Sequence, residues 1–224
     1  MEMTRNYKIV GGLYLVLNPS MEKKLLIHRL RSALDGGVQL LQIWNNWPDD
    51  YDRGKKRIFA EEVTAIAMAY SVPVLINEEW GLLLDSALSG VHFDAIPEDF
   101  SAIKGQLPAD ALIGITCGND LQTVRWADEQ RLDYISFCAL FPSSSVDTCE
   151  IVSHDTLEKA RSLTDLPLFV SGGITPENIL QMKELDICGV AVISGILNQS
   201  VPKEAALSYK HALNKLTNEK FTAK

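Results

Sequence analysis

Eight short runs of near-continuous apolar residues recur along the chain, at 13–18, 38–44, 72–77, 90–93, 111–116, 133–137, 166–171 and 189–194. A strand that is apolar at every position, rather than at every second one, is buried on both faces, and such strands belong to parallel sheets covered by helices. Amphipathic segments separate the runs. Leu25, Leu26, Leu30 and Ala33 share one side of a helix predicted over 20–34, and Val63, Ile66 and Ala67 one side of another over 59–70. Further helices are predicted over 120–131, 154–162, 175–184 and 203–216, with Ser20 capping the first and Pro176 in the first position of the fifth. Strand and helix alternating eight times predict a (β/α)8 TIM barrel, a single domain over 1–224 with its core at about 12–216. A doubly wound open sheet is the main rival, but it carries fewer strands and places its glycine-rich turn after the first of them.

In this chain the glycines come after the seventh run. Residues 169–179 read FVSGGITPENI, and the pair Gly172-Gly173 has two readings. It is a tight turn, or it is a stretch of bare backbone on which an anion sits directly against N–H groups. Barrels of this kind bind phosphate in the loops after strands seven and eight, and Ile193-Ser194-Gly195 follows the eighth run here. That pairing favours the phosphate cup.

A net charge of −8 and an isoelectric point near 5.0 argue against a nucleic-acid surface, so an anionic ligand has to be held by local groups. The densest basic cluster is Arg53, Lys55, Lys56 and Arg57, read as a solvated loop and helix start or as a ligand contact. Cys117, Cys138, Cys149 and Cys188 form no CxxC pair, the N-terminus lacks the apolar core of a signal peptide, and no run reaches the length of a membrane span. A cytoplasmic protein without membrane or nucleic-acid partners is expected.

Chemistry in such a barrel sits at the C-terminal ends of the strands. The residues there are Gln42, Asn45 and Asn46, then Asn77 and Glu78, His92 and Asp94, Thr116, Ser143 and Ser145, and the two glycine-bearing loops. Glu78 suits Mg²⁺, which takes oxygen ligands, or else Asn77 caps a helix whose positive end Glu78 and Glu79 favour. Asp94 is the second metal candidate. His92, among apolar neighbours, reads as a hydrogen-bonded core histidine rather than a general base. Ser143 and Ser145 either make a flexible turn or give hydroxyls to phosphate oxygens.

Taken together, ALDGGVQLLQI, VPVLIN, SGVHF, IGIT, DYISFCALFPSSS, VSGGITPENI and CGVAVISGI resemble the thiamine-phosphate synthase and thiazole tautomerase superfamily over nearly the whole chain. The resemblance implies a transferase that couples hydroxymethylpyrimidine diphosphate to thiazole phosphate and releases pyrophosphate, with Mg²⁺ as cofactor, phosphorylated thiamine precursors as small-molecule partners and a homodimeric state. It gives catalytic roles to Gln42, Asn77 and Thr116, substrate-binding contacts, those of the phosphate, to Ser143, Ser145, Gly172, Gly173, Ile193 and Ser194, and metal ligation to Glu78 and Asp94.

The chain departs from the family pattern where positive charge is expected. Trp44 and Asn46 stand in place of an Arg and a Lys, and Val146 in place of a Lys. Glu78 replaces an Asp, and the usual second metal carboxylate gives way to the stretch Asp94 to Pro97. Arg53, Lys55 or Lys56 folding back would restore a cation. Two other activities fit the same landmarks. A thiazole phosphate tautomerase needs the cup and a general acid/base, but 116–119 lacks the histidine of that branch and offers Cys117. A non-catalytic phosphate-binding protein needs only the cup.

Overall fold

Strand pairing in the computed structural model, which describes residues 7–141 and 151–222, runs in chain order and closes on itself. The strands are β1 (Gly12–Leu17), β2 (Leu40–Ile43), β3 (Val74–Asn77), β4 (Gly90–Phe93), β5 (Leu112–Cys117), β6 (Tyr134–Phe137), β7 (Leu168–Val170) and β8 (Gly189–Val192). All neighbours are parallel, and β8 meets β1 in the register Gly12↔Gly189 to Leu15↔Val192. The result is the predicted TIM barrel.

Burial on both faces explains the continuous apolar runs. One set of side chains, among them Tyr14, Leu40, Leu75, Leu112, Tyr134, Phe169 and Ala191, fills the barrel interior. The alternate set, such as Leu13, Leu15, Leu41, Ile43, Val74 and Ile76, packs outward against the helices. Inside, the rings of Tyr14 and Tyr134 each meet Phe169 edge to face, at 5.6 and 5.5 Å between centroids. Above this layer the inward positions turn polar: Gln42, Asn77, His92, Thr116 and Ser136.

The helices are α1 (Lys23–Asp35), α2 (Arg53–Met68), α3 (Phe100–Lys104), α4 (Leu121–Glu129), α5 (His154–Arg161), α6 (Ser194–Leu197) and α7 (Pro202–Thr222). Three starts differ from the sequence expectation. Glu22, not Ser20, caps α1, accepting from the N–H groups of Lys24 and Leu25, while the Ser20 hydroxyl donates to Asn46 O at 2.6 Å. α2 begins at Arg53 because Asp52 accepts from Lys55 N at 2.8 Å, which puts the whole basic cluster on the helix.

The helix expected over 175–184 contracts to a 3-10 turn at Ile179–Met182, and Pro176 opens no α-helix. Asn178 accounts for this. Its side chain accepts from Thr175 N at 2.9 Å and donates to Gly173 O at 2.9 Å, so the segment is held as a capped turn against the glycine loop. Among the described residues, no helix is long and apolar enough to cross a membrane.

Candidate active site at the barrel mouth

A file of side chains crosses the barrel beneath its C-terminal mouth. Gln42 Oε1 accepts from the Tyr14 hydroxyl, Tyr14 Oη lies 3.0 Å from Tyr134 Oη, and Tyr134 Oη lies 2.7 Å from His92 Nδ1. His92 Nε2 then lies 2.8 Å from Thr116 Oγ1. Gln42 and Thr116, expected at the site from their strand-end positions, are therefore joined through the core. The sequence reading missed Tyr14 and Tyr134. Their signal was a hydroxyl-bearing ring at an inward position of a strand.

His92 is enclosed, and burial holds its imidazole down at about 3, so it is neutral. The core-histidine reading holds. Burial likewise pushes both tyrosine hydroxyls well above the ordinary phenol range.

Beside this file stand the two carboxylates. Asn77, fully buried, caps no helix; its amide donates to Asp94 Oδ1 at 3.0 Å and to His92 O at 3.3 Å, and its carbonyl accepts from Asn45 N at 3.4 Å. Glu78 has φ +61°, a conformation costly for a residue with a side chain, and its carboxylate accepts from Asp94 N–H. Asn77, Glu78 and Asp94 are thus brought together. Removal from water raises the pKa of Glu78, whose accepted N–H lowers it and whose neighbour Asp94 raises it further. The same cause raises Asp94, against the lowering effect of the Asn77 amide.

Two carboxylates repelling each other, each with one oxygen left over from these bonds, fit a hard divalent cation. Mg²⁺ is commonly held by one or two carboxylates with substrate phosphate and water completing the shell.

The glycine loop lies after β7. Gly172 and Gly173 have φ +82° and +63°, and among the described residues neither N–H donates to an acceptor. The carbonyls, by contrast, are occupied: Ser171 O accepts from Leu140 N, Gly172 O from Phe141 N and Gly173 O from Asn178 Nδ2. Gly172 has no room for a side chain, since a Cβ there would stand 2.5 Å from Ala139 Cα. Ile193 and Ser194 open the short α6 after β8. Tyr209 of α7 ties the two loops, donating to Ile174 O at 2.7 Å and packing where a side chain on Gly195 would be.

The four basic side chains at the start of α2 are all paired, Arg57 with Glu61 at 2.5 Å. Arg53 bonds Gly81 O at 2.8 Å and Asp85 at 3.0 Å, and Lys55 bonds Asp50 at 2.6 Å. Lys56 bonds Glu79 at 2.6 Å and covers the Trp47 ring at 5.4 Å. Cys117 is buried, its thiol pushed up to about 12, and it offers no acid/base group. Ser143, Ser145 and Val146 lie outside the described residues.

Residues 13–196 match the family described as thiamine monophosphate synthase. A thiamine-phosphate synthase of Nitrosococcus oceani is 32% identical over 202 residues, 90% of this chain and 92% of that one. One of Clostridium perfringens is 28% identical over 91% and 96% of the two chains. In fold, a thiamine phosphate pyrophosphorylase from Pyrococcus furiosus superposes with a TM-score of 0.79 over 95% of this chain and 98% of its own, at 17% identity. The chain belongs to the thiamine monophosphate synthase family.

Proposed function

We propose that this protein is a thiamine-phosphate synthase, coupling hydroxymethylpyrimidine diphosphate to thiazole phosphate with release of pyrophosphate. The observation that carries the reading is the family match, which spans every strand end at the mouth, from Gln42 to Ser194. The open N–H groups of Gly172 and Gly173, with Ile193 and Ser194, receive the thiazole phosphate. Ser143 and Ser145 add hydroxyl contacts. Gln42 and Thr116, at the two ends of the buried file, orient the pyrimidine, and Asn77 holds Asp94 in place.

Glu78 and Asp94 would hold Mg²⁺, which when bound offsets charge on the departing diphosphate. The reacting bonds balance without a proton carrier: the carbon–oxygen bond to diphosphate breaks with its electron pair leaving on oxygen, and the thiazole nitrogen lone pair fills the vacancy on carbon. Neutral His92 suits that requirement, since it neither gives nor takes a proton. Lys56, beside Glu79, is the cation placed to take over from the positive charges that Trp44 and Asn46 replace.

The tautomerase reading loses its acid/base group with Cys117 buried. The test is pyrophosphate release by the purified chain given both precursors and Mg²⁺. Release that Glu78→Ala abolishes is expected. No release from folded protein that still binds thiazole phosphate would overturn the reading in favour of a non-catalytic binder.

A further inference from the structure

Protons can be counted along the file of side chains beneath the mouth, and with Gln42 Oε1 facing Tyr14 the count fixes a direction. Each tyrosine or threonine hydroxyl has one proton to give, a neutral imidazole has one N–H, and an amide oxygen only accepts. Tyr14 gives its proton to Gln42 Oε1. The 3.0 Å contact between the tyrosines therefore requires Tyr134 to donate to Tyr14. With that proton placed, the 2.7 Å contact requires His92 Nδ1–H to donate to Tyr134 Oη. His92 Nε2 is then bare, and the 2.8 Å contact requires the Thr116 hydroxyl to donate to it. Four contacts take four protons in one direction. No single link can reverse without leaving two protons, or none, between a pair of atoms.

We infer that this one-way chain makes Thr116 a hydrogen-bond acceptor only, so that the mouth selects a donor group on the heterocycle it binds. Of the five residues in the chain, Thr116 alone is not buried, so its lone pairs are the end that a ligand meets. At the other end the Gln42 amide nitrogen donates to no described residue and keeps its N–H groups. A free hydroxyl can turn to suit donor or acceptor, whereas one whose proton is committed leaves an acceptor on the ligand unpaired. Tyr14, Tyr134 and His92 act through Thr116 and are positioning residues. The heterocycle being an aminopyrimidine, with its exocyclic amine as the donor, rests on the synthase reading; the direction of the chain does not.

The test reads the two separately. Two-bond ¹H–¹⁵N correlation spectra of the labelled, ligand-free chain report which ring nitrogen of His92 carries its proton, with the signals assigned by their loss in His92→Gln. The expected form is Nδ1–H. In Tyr14→Phe, or in Gln42→Leu should the first fail to fold, the Tyr134 proton is released to turn toward Nδ1, and His92 shifts to Nε2–H. A wild-type Nε2–H form overturns the inference. Calorimetric binding of 4-amino-2-methylpyrimidine against 4-methoxy-2-methylpyrimidine, which has no donor, then reads the selection. A preference for the amine of about tenfold or more is expected in the wild type, reduced severalfold in the variant whose tautomer has shifted. Equal affinities in the wild type overturn the selection. A chain that holds the Nδ1–H form but binds neither compound and releases no pyrophosphate overturns the synthase reading along with the selection, while the direction of the chain stands.

Discussion

The ring of Tyr134 occupies the space that a side chain on Gly114 would fill: a Cβ at Gly114 would stand 2.1 Å from Cε1 of that ring. The two residues are paired across β5 and β6, and the ring cannot swing away without breaking its contacts to Tyr14 and His92. Gly114→Ala is therefore expected to destabilise the chain by about 1–3 kcal/mol, as overpacking of a close-packed core does. Urea unfolding of Gly114→Ala, Tyr134→Leu and the double variant checks this. The double variant should be less destabilised than the sum of the two, because removing the ring makes room for the methyl.

The carboxylates of Glu78 and Asp94 give a prediction with a definite sign. Both have folded-state pKa values raised by removal from water. A raised folded value means that the protonated form is favoured by folding, so the stability it contributes is complete below the ordinary carboxylate range near pH ~4 and is lost as pH rises through the raised values. Asp94→Asn keeps the acceptor oxygen for Asn77 and removes the charge. Metal-free Asp94→Asn should melt slightly higher than the wild type at pH 7, with the difference vanishing at pH 4. Adding Mg²⁺ should raise the wild-type melting temperature and leave Asp94→Asn less changed. Equal Mg²⁺ shifts in both would remove Asp94 from the metal site.

The barrel was legible because each strand is buried on both faces, a pattern that no exposed hairpin shares, and the glycine pair was legible because little else tolerates the backbone it adopts. The buried file was not. Tyr14 and Tyr134 sit in apolar runs where a phenylalanine would serve equally well, and only the register of eight strands shows that their hydroxyls meet each other and that Tyr134 reaches His92. Helix starts misled where a nearer acceptor won: Ser20 looks like a cap, yet Glu22 takes the N–H groups and Ser20 turns to the Asn46 carbonyl. The second helix is expected from 59, but Asp52 caps a start six residues earlier, at Arg53, where Trp47 stacks on Tyr51 and meets Phe59 edge to face.

That early start separates the basic side chains. Arg53 and Lys55 are exposed and bonded to Asp85 and Asp50, whereas Lys56 is half-buried against Trp47 and bonded to the residue next to Glu78. Lys56→Gln is expected to raise the KM for the diphosphate substrate by about tenfold, the scale of one charge-assisted contact. Arg53→Gln and Lys55→Gln should leave it within about twofold, since exposed ion pairs contribute little. Steady-state kinetics on the three variants checks the ranking. An equal effect from all three would mean that the missing charge is replaced by the general field of α2 and not by one side chain.

The proposed phosphate cup can be separated from the rest of the site by two substitutions in its walls. Gly172→Ala puts a Cβ 2.5 Å from Ala139 Cα on a backbone with φ +82°, so the loop must move and its N–H groups lose their alignment. Affinity for thiazole phosphate should fall by about tenfold or more, with the KM for the diphosphate substrate little changed. Tyr209→Phe acts from behind. It leaves Ile174 O without its 2.7 Å donor in a buried setting, at a cost of about 1–3 kcal/mol in stability, and it loosens the tie between the β7 and β8 loops. Calorimetry with thiazole phosphate and urea unfolding distinguish the two variants. Loss of stability in Gly172→Ala with unchanged phosphate affinity would mean that the glycines serve the turn alone; loss of affinity in both variants would place the anion between the β7 and β8 loops.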